Sequence, residues 1–308
     1  MRVAVIDCGT NTVRLYIADA TPDGLADVLR RLEFGRLGEG VDATGRFAPE
    51  ALARVFAILD DYGAVIAGAH VDRTRFVATS AARDVKNRDE FFAGVRARLG
   101  IDPDVISGDE EAELSFLGAL SGGPLADGSV LVMDVGGGST ELIRGRWMSS
   151  ARSTIDARIS LNMGSVRIRE RYFHGDPPAA GEIRQARQFV DGLLDRAGTE
   201  LAAVDTWIGV AGTSTSLTAM SQGLAAYDRT KVHNSVIDRP TIEALVDRLL
   251  STSVADTIRD YPSLQPERAE VIAAGALIVA EVARRVDRPM LVRETDILDG
   301  AALKLVRS

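Results

Sequence analysis

A short pattern occurs twice in this 308-residue chain and limits what the chain can fold into. AVIDCGTNTVRL (4–15) and LVMDVGGGSTEL (131–142) each contain an apolar run, an Asp-x-Gly turn and a second apolar run. This order predicts two strands joined by a tight turn, since glycine reaches backbone conformations that other residues avoid. In both places a further strand and then helices are predicted to follow. The repeat therefore predicts two α/β domains of similar architecture.

The boundary between the two domains is predicted in SGGPLADG (121–128), a stretch rich in glycine and proline. We expect an N-terminal domain at 1–124 and a C-terminal domain at 125–308, with the closing helix 296–308 able to pack back on the first domain. Antiparallel hairpins followed by strand–helix alternation are typical of mixed sheets flanked by helices. Two such domains are expected to face each other across a cleft that holds the active site.

Periodicity and turn residues predict the individual elements. Strands are predicted at 2–6, 12–19, 27–34, 74–79, 104–107, 129–134, 139–145, 153–160, 207–212 and 289–295. Helices are predicted at 49–69, 88–99, 109–120, 164–173, 178–200, 213–224, 240–250, 266–286 and 296–306.

Composition disfavours several classes of protein. The formal net charge of -8 argues against a protein that coats nucleic acid, so no nucleic-acid partner is expected. The apolar runs are shorter than the roughly 18 residues that span a bilayer, so no membrane partner is expected. A single cysteine, Cys8, excludes an internal disulfide and a cysteine-cluster metal site, which predicts a soluble protein of a reducing cytoplasm. The arginines concentrated in 144–171 form either a solvated face or a lane for a polyanion.

The two turns contain the groups that bind phosphate oxygens. Successive N–H groups in a glycine turn form a concavity for anions, and hydroxyl side chains add donors. The candidate phosphate-binding residues are Gly9, Thr10, Asn11 and Thr12 in the first turn and Gly136, Gly137, Gly138, Ser139 and Thr140 in the second. One such turn could be a simple hairpin, but two copies in register favour phosphate binding.

The charged residue that follows each turn differs between the two copies. The first hairpin returns Arg14, a cation that can form two hydrogen bonds to a phosphate. The return strand of the second hairpin instead carries Glu141, which would repel phosphate and which forms a carboxylate pair with Asp134. A hard cation held between the two carboxylates, often through water, explains them better. We therefore predict Mg²⁺, or another divalent cation, at Asp134 and Glu141. Asp7 is the third predicted metal-site residue, orienting the first loop or a metal-bound water.

Five segments occur in an order that resembles one known family. They are AVIDCGTNTVRL (4–15), TSAARDVKN (79–87), ISGDEEAELSFLGAL (106–120), VMDVGGGSTEL (132–142) and GVAGTSTSL (209–217). Over essentially the whole chain they resemble the exopolyphosphatase/guanosine pentaphosphate phosphohydrolase (Ppx/GppA) family of the sugar kinase/Hsp70/actin superfamily. The resemblance implies two ribonuclease-H-like domains, a Mg²⁺-dependent site in the cleft between them, and a homodimer. It also implies release of terminal orthophosphate from inorganic polyphosphate or pppGpp.

The resemblance assigns roles to two further residues. Arg83 in TSAAR matches an arginine that contacts the phosphate chain, and Glu111 matches the general base. Hydrolysis requires a deprotonated water aimed in line at phosphorus, which agrees with the need for such a base. Glu110 and Glu111 would point about 100° apart on a helix, and spacing with Leu114 and Gly118 places Glu111 on the inward side. The alternative for the acidic pair is stabilisation of the helix macrodipole.

Gly212 and Thr213 follow a predicted strand at the start of a helix, where free N–H groups can bind an anion. In kinases of the superfamily the matching loop meets the nucleotide. Here the turn is either a site for a distal phosphate or guanosine group, or only a helix cap.

The expected activity is that of an exopolyphosphatase, in which water activated by Glu111 attacks the terminal phosphoryl group. The alternatives are a pppGpp 5′-phosphohydrolase, a non-catalytic sensor of polyphosphate or pppGpp, and a kinase of the same fold. Long members of the family carry a further C-terminal region, so a 308-residue form is expected to prefer short polyphosphates. The family often reads GLREG near its end, whereas this chain reads VRETDILDG (292–300), which leaves the role of that segment open.

Overall fold

A computed structural model describes residues 1–83, 85–148, 152–197 and 201–307. Residues 198–200 of the helix predicted at 178–200 lie outside the described residues. The strands are β1 (Arg2–Cys8), β2 (Val13–Thr21), β3 (Gly24–Glu33), β4 (Arg73–Ala78), β5 (Asp104–Val105), β6 (Gly128–Val135), β7 (Thr140–Met148), β8 (Arg152–Leu161), β9 (Thr206–Val210), β10 (Ser235–Ile237) and β11 (Met290–Val292). The helices are α1 (Val41–Thr44), α2 (Pro49–Gly68), α3 (Ser80–Arg83), α4 (Arg88–Leu99), α5 (Gly108–Ser121), α6 (Ser165–Tyr172), α7 (Ala180–Arg196), α8 (Ala211–Ser221), α9 (Arg229–Val232), α10 (Arg239–Leu250), α11 (Val254–Asp260), α12 (Pro266–Ala283) and α13 (Ile297–Arg307).

The chain divides into two compact units. The first contains residues up to Ser121 together with the closing segment from Thr295, and the second is Gly122–Glu294. The sequence places the boundary at 124/125 and allows the closing helix 296–308 to pack back on the first domain. In the structure α13 belongs to the first unit, because its apolar side packs on the sheet there: Ile297, Ala301 and their neighbours join one buried cluster with Val3.

The first unit is built on a mixed sheet with the order β3-β2-β1-β4-β5 among the described residues. The predicted meander of β1, β2 and β3 is antiparallel, and β4 and β5 continue parallel to β1. One side of the sheet is covered by α2 and α4, and the other by α5 and α13. Helix α2 begins with Pro49, which suits the first turn of a helix, and buries Leu52, Val55 and Leu59 at helical spacing.

The second unit repeats this plan. Its sheet has the order β10-β11-β9-β6-β7-β8 in the described part of the chain, so the strands again run third, second, first and fourth. The hairpins β6–β7 and β7–β8 are antiparallel, whereas β9 is parallel to β6. Its hydrophobic core is formed by side chains of α6, α7, α8, α10 and α12 that pack against Leu131 and Met133 of β6. The mixed α/β class predicted from the duplicated pattern is thus confirmed.

Five of the short elements were not predicted. The pattern gives no sign of β10 or of the four brief helices α1, α3, α9 and α11, and the strand expected at 289–295 is only three residues long. These elements are too short to show a hydrophobic period. Among the described residues, no helix has both the length and the apolar character needed to cross a bilayer.

Candidate active site

The two glycine turns have the same backbone closure. Gly9 donates its N–H to the carbonyl of Thr12 at 2.9 Å, and Gly136 donates to Ser139 at 3.0 Å. The strands on either side then pair so that Asp7 lies opposite Arg14, and Asp134 lies opposite Glu141. The residues that the sequence aligns, Asp7 with Asp134 and Arg14 with Glu141, therefore hold equivalent places in the two hairpins. Directly opposed residues of an antiparallel pair place their side chains on the same face of the sheet.

In the first turn, the carbonyl groups are taken up by the segment that follows β3. Arg36 donates its N–H to Asn11 at 2.9 Å, and Gly38 donates to Thr10 at 2.8 Å. Gly38 leaves room for this approach, since a Cβ there would lie 2.2 Å from the Thr10 methyl group. With carbonyls directed to this segment, the turn can present N–H groups and hydroxyls to a ligand.

In the second turn, the first residues of α6 take the same role. Ser165 donates its N–H to Gly136, and Val166 donates to Gly137, both at 2.9 Å. The Nε–H of Arg167 donates to the Gly138 carbonyl at 2.8 Å. The first-turn amides of α6 are thus used to hold the glycine loop. An anion would then meet the loop itself rather than the start of α6.

The first hairpin contains its own charge compensation. Arg14 donates from Nη2 and Nε to Asp7 Oδ2, at 2.6 and 3.0 Å, and Nη1 pairs with Asp296. Asp7 Oδ1 is buried and accepts no hydrogen bond from the described residues. Burial raises the pKa of the Asp7 carboxyl, and Arg14 opposes the rise. Burial would lower the pKa of Arg14, but the charges of Asp296 and Asp7 outweigh it and raise that pKa.

The second hairpin brings two carboxylates together. Asp134 and Glu141 are 6% and 1% exposed, and Ser160 on β8 donates its hydroxyl to Glu141 Oε1 at 2.7 Å. Like charges directly opposite each other repel, so a cation between them would be favourable. Within the described ranges, no three Asp, Glu, His or Cys side chains form a metal-binding group. A hard cation at the pair would therefore take further ligands from water and substrate, as Mg²⁺ usually does. Asp7, the third predicted ligand, lies in the first unit.

The predicted base and the predicted phosphate-binding arginine are neighbours in the first unit. Arg83 Nη1 donates to Glu111 Oε2 at 2.6 Å, and Glu111 is only 8% exposed. Glu110 points elsewhere and pairs with Arg75 at 2.9 Å. The predicted inward orientation of Glu111 is thus confirmed. The first turn lies beside the same segment, since the hydroxyls of Thr10 and Ser80 are 3.2 Å apart.

The turn at Gly212 and Thr213 lies next to the second glycine loop. Thr213 Oγ1 donates to the carbonyl of Val135, the residue before Gly136, at 3.4 Å. Gly212 lies directly under the guanidinium of Arg268, because a Cβ on Gly212 would be 1.8 Å from Arg268 Nη1. This face of the turn therefore lies against a cationic side chain.

Four residues of this environment were missed by sequence reasoning: Ser80, Ser160, Arg167 and Asp296. Each acts through a partner far along the chain, for example Asp296 with Arg14 across 282 positions. Ser80 was within a recognised motif, TSAARDVKN, but its hydroxyl had no evident role until the turn at Thr10 was placed beside it. Arg167 is one of the arginines concentrated in 144–171, and Asp296 lies in the segment 292–300 whose role the sequence leaves open, whereas Ser160 carried no local signal.

Comparisons with known proteins identify the family of this chain. The family model of the Ppx/GppA phosphatase family matches residues 16–292. This chain belongs to the Ppx/GppA phosphatase family. It is 43% identical to a Mycobacterium tuberculosis protein named Exopolyphosphatase 2, over 99% of this chain and 98% of that protein. The predicted family is thus confirmed.

Solved structures of the family give the same result. The crystal structure of an exopolyphosphatase-like protein is 38% identical and superposes with a TM-score of 0.92, over 99% of this chain and 97% of that one. The Aquifex aeolicus member of the Ppx/GppA family is 30% identical and has a TM-score of 0.83, over 100% and 98% of the two chains. The matched span of the family model excludes both the first hairpin turn and α13.

Proposed function

We propose that this protein is an exopolyphosphatase that releases terminal orthophosphate from inorganic polyphosphate. The observation that carries the proposal is the division of chemistry between the two hairpins. The first unit holds a buried carboxylate, Glu111, against a cationic partner, Arg83, beside a phosphate-type loop. The second holds a carboxylate pair, Asp134 and Glu141, at the base of a glycine loop. The 43% identity to Exopolyphosphatase 2 supports the same activity.

In the proposed mechanism, the two loops hold phosphate oxygens through backbone N–H groups and hydroxyls. Glu111 removes a proton from the attacking water, and Arg83 holds that carboxylate in place until substrate arrives. A divalent cation bound at Asp134 and Glu141 would neutralise the charge that develops on the phosphoryl oxygens. The chain that departs is already a good leaving group, since its oxygen belongs to a phosphate anhydride, and it needs little acid assistance.

The base assignment is tested by Glu111→Gln with Glu110→Gln as the matched control. Both changes remove one negative charge from adjacent positions of α5. Loss of a general base should reduce turnover by about 10²–10⁴-fold, whereas Glu110→Gln should keep it within a few-fold because Glu110 faces Arg75. Orthophosphate release from polyphosphate, measured without any acceptor, gives the rates. Equal rates in the two variants would remove Glu111 from the mechanism.

The substrate is decided by one side-by-side assay of short polyphosphate, long polyphosphate and pppGpp. We expect the short chains to be the best substrate. Faster release from pppGpp would favour the 5′-phosphohydrolase alternative, and tight binding without release would favour a sensor. Orthophosphate release from polyphosphate without any acceptor would count against a kinase. A homodimer is inferred from the family alone and is tested by sedimentation of the intact chain.

A further inference from the structure

The closing helix α13 begins with two buried acids that cap it. Asp296 and Asp299 are 5% and 3% exposed. Asp296 Oδ1 accepts the N–H of Leu298, and Asp299 Oδ2 accepts the N–H of Asp296, both at 3.0 Å. This is the reciprocal arrangement of a capping box, in which each side chain satisfies a backbone donor near the other. The start of α13 is therefore held in one geometry.

Each of these acids is also paired with an arginine from a neighbouring strand. Asp296 holds Arg14 of β2, and Asp299 holds Arg30 of β3, whose Nη1 is 3.1 Å from Asp299 Oδ2. Arg30 has its second partner in Asp27, at 2.9 Å, away from the glycine turn. Arg14 has its second partner in Asp7, at the turn itself. The two acids are alike in burial and pairing, but Asp296 reaches the proposed site directly through Arg14, whereas Asp299 reaches it only through the backbone N–H of Asp296.

The connection fixes the orientation of Asp7. Arg14 binds Asp7 Oδ2 through two nitrogens, so the carboxylate plane and the direction of Oδ1 are both set. Oδ1 is buried and accepts no hydrogen bond from the described residues. A buried acceptor left in this way is unfavourable unless a ligand completes it, which is the state expected of a site residue.

The same end of α13 also contacts the helix that carries Glu111. A Cβ on Gly118 of α5 would lie 1.7 Å from the Asp296 carbonyl oxygen, and one on Gly300 would lie 2.0 Å from the Leu114 carbonyl oxygen. The two helices therefore cross with backbone against backbone. Asp296 thus lies at a junction between the first hairpin and α5.

We infer that Asp296 is a positioning residue of the catalytic machinery: by holding Arg14 it fixes Asp7, and by its place against α5 it sets Asp7 relative to Glu111. The inference rests on the proposed function. It gives segment 292–300, where the chain departs from the family pattern, a defined role. Arg14 then acts mainly within the protein, as the link between two carboxylates, rather than as the principal phosphate ligand.

The test compares Asp296→Asn with Asp299→Asn in the intact protein. Both variants replace a buried acid at the start of α13 by an amide of the same shape, and both weaken one arginine pair. For Asp296→Asn we expect kcat on polyphosphate to fall by about 10–100-fold with little change in KM. This is the usual effect of losing a residue that hydrogen-bonds to a site residue without touching the substrate. For Asp299→Asn we expect kcat to stay within about 3-fold of the wild type. The pair that this change weakens, Asp299 with Arg30, does not contact a residue of the proposed site, so its loss should not lower kcat in the same way.

Hydrogen exchange measured by mass spectrometry supplies a readout that does not depend on activity. Amides of the peptide around 7–14 should exchange faster in Asp296→Asn and at the wild-type rate in Asp299→Asn. An equal loss of kcat in both variants, or unchanged exchange at 7–14 in Asp296→Asn, would overturn the inference. If the wild type released no orthophosphate from any polyphosphate, the proposed function would fail instead, and the exchange comparison would still decide the link from Asp296 to the hairpin.

Discussion

The two hairpins share one backbone and differ in one charge. In both, an Asp at the end of a strand is followed by a glycine turn with the same internal hydrogen bond, at 2.9 Å in one and 3.0 Å in the other. In the first, the opposite residue is Arg14, and the hairpin neutralises its own carboxylate. In the second, the opposite residue is Glu141, and the hairpin concentrates negative charge. A common phosphate-binding frame thus supports two different electrostatic tasks.

The glycine turn determines the backbone shape of each hairpin. The charged residue on the second strand, Arg14 or Glu141, determines which ligand the hairpin can bind. An Asp–Arg pair neutralises its own charge and suits a rigid part of a site. An Asp–Glu pair is favourable mainly in the presence of a cation. The duplicated sequence pattern alone would suggest equivalent halves, and the charge exchange shows why they are not interchangeable.

The largest expected effect comes from making the second hairpin electrostatically like the first, with Glu141→Arg. The new cation would pair with Asp134 and repel a divalent ion, and like-charge contacts of this kind cost several kcal/mol. Turnover on polyphosphate should fall by about 10³-fold, since each 1.4 kcal/mol is a factor of ten. The assay is orthophosphate release over a range of Mg²⁺ concentrations.

The control for this change is Glu141→Gln, which keeps the hydrogen bond from Ser160 and removes only the charge. Glu141→Gln should weaken the apparent affinity for Mg²⁺ by about 10–100-fold. Added Mg²⁺ should therefore restore part of the rate of this variant. Glu141→Arg should not be restored. Full activity of Glu141→Arg at ordinary Mg²⁺ would show that no cation is needed at the pair.

The second prediction concerns stability in the absence of metal, where the two hairpins should respond with opposite signs. Arg14→Gln leaves Asp7 and Asp296 buried without their common partner; the side chains are 16%, 7% and 7% exposed. Breaking a buried pair by removing one member costs about 3–5 kcal/mol. Glu141→Gln removes a repulsion between opposed like charges and should stabilise the protein by roughly 0.2–1 kcal/mol.

Denaturant unfolding of both variants with a chelator present measures these changes in the free energy of unfolding. Destabilisation of similar size in the two variants would mean that Asp134 and Glu141 do not repel each other in the metal-free protein. Burial already raises the pKa of Asp7. Loss of Arg14 should raise that pKa further, so part of the cost should be relieved at low pH, where Asp7 is protonated.

Much of this organisation follows from the sequence, and the missing part has a physical reason. The glycine turn, the apolar alternation and the opposed charged residues are local, so the register of both hairpins can be predicted. The inward direction of Glu111 follows from helical spacing. That α13 can pack back on the first unit is also expected from the sequence, but the pair of Arg14 with Asp296 joins positions 282 residues apart, and nothing local indicates it.

The support of each loop was likewise beyond the sequence. Gly38 and Gly164 look like ordinary loop glycines, and their purpose appears only where another backbone comes close. Gly164 has an extended backbone, with φ −131°, which any residue can adopt. Glycine is therefore required at position 164 only because a Cβ there would clash with the neighbouring backbone.

The smallest expected effect compares the two supports directly, with Gly164→Ala and Gly38→Ala. A Cβ on Gly164 would lie 2.3 Å from the Gly137 carbonyl oxygen and 2.5 Å from the Gly138 nitrogen, so the loop backbone must move. A Cβ on Gly38 meets chiefly the Thr10 methyl group, at 2.2 Å, which a change of rotamer can relieve. Displacing positioned groups by about 1 Å costs up to about 10²-fold in rate, so Gly164→Ala should lose about 10–100-fold in kcat and Gly38→Ala less than about 10-fold. Steady-state kinetics on polyphosphate, with thermal unfolding to confirm that both variants are folded, measure the difference. A greater loss in Gly38→Ala would mean that the first loop, rather than the second, demands the tighter placement.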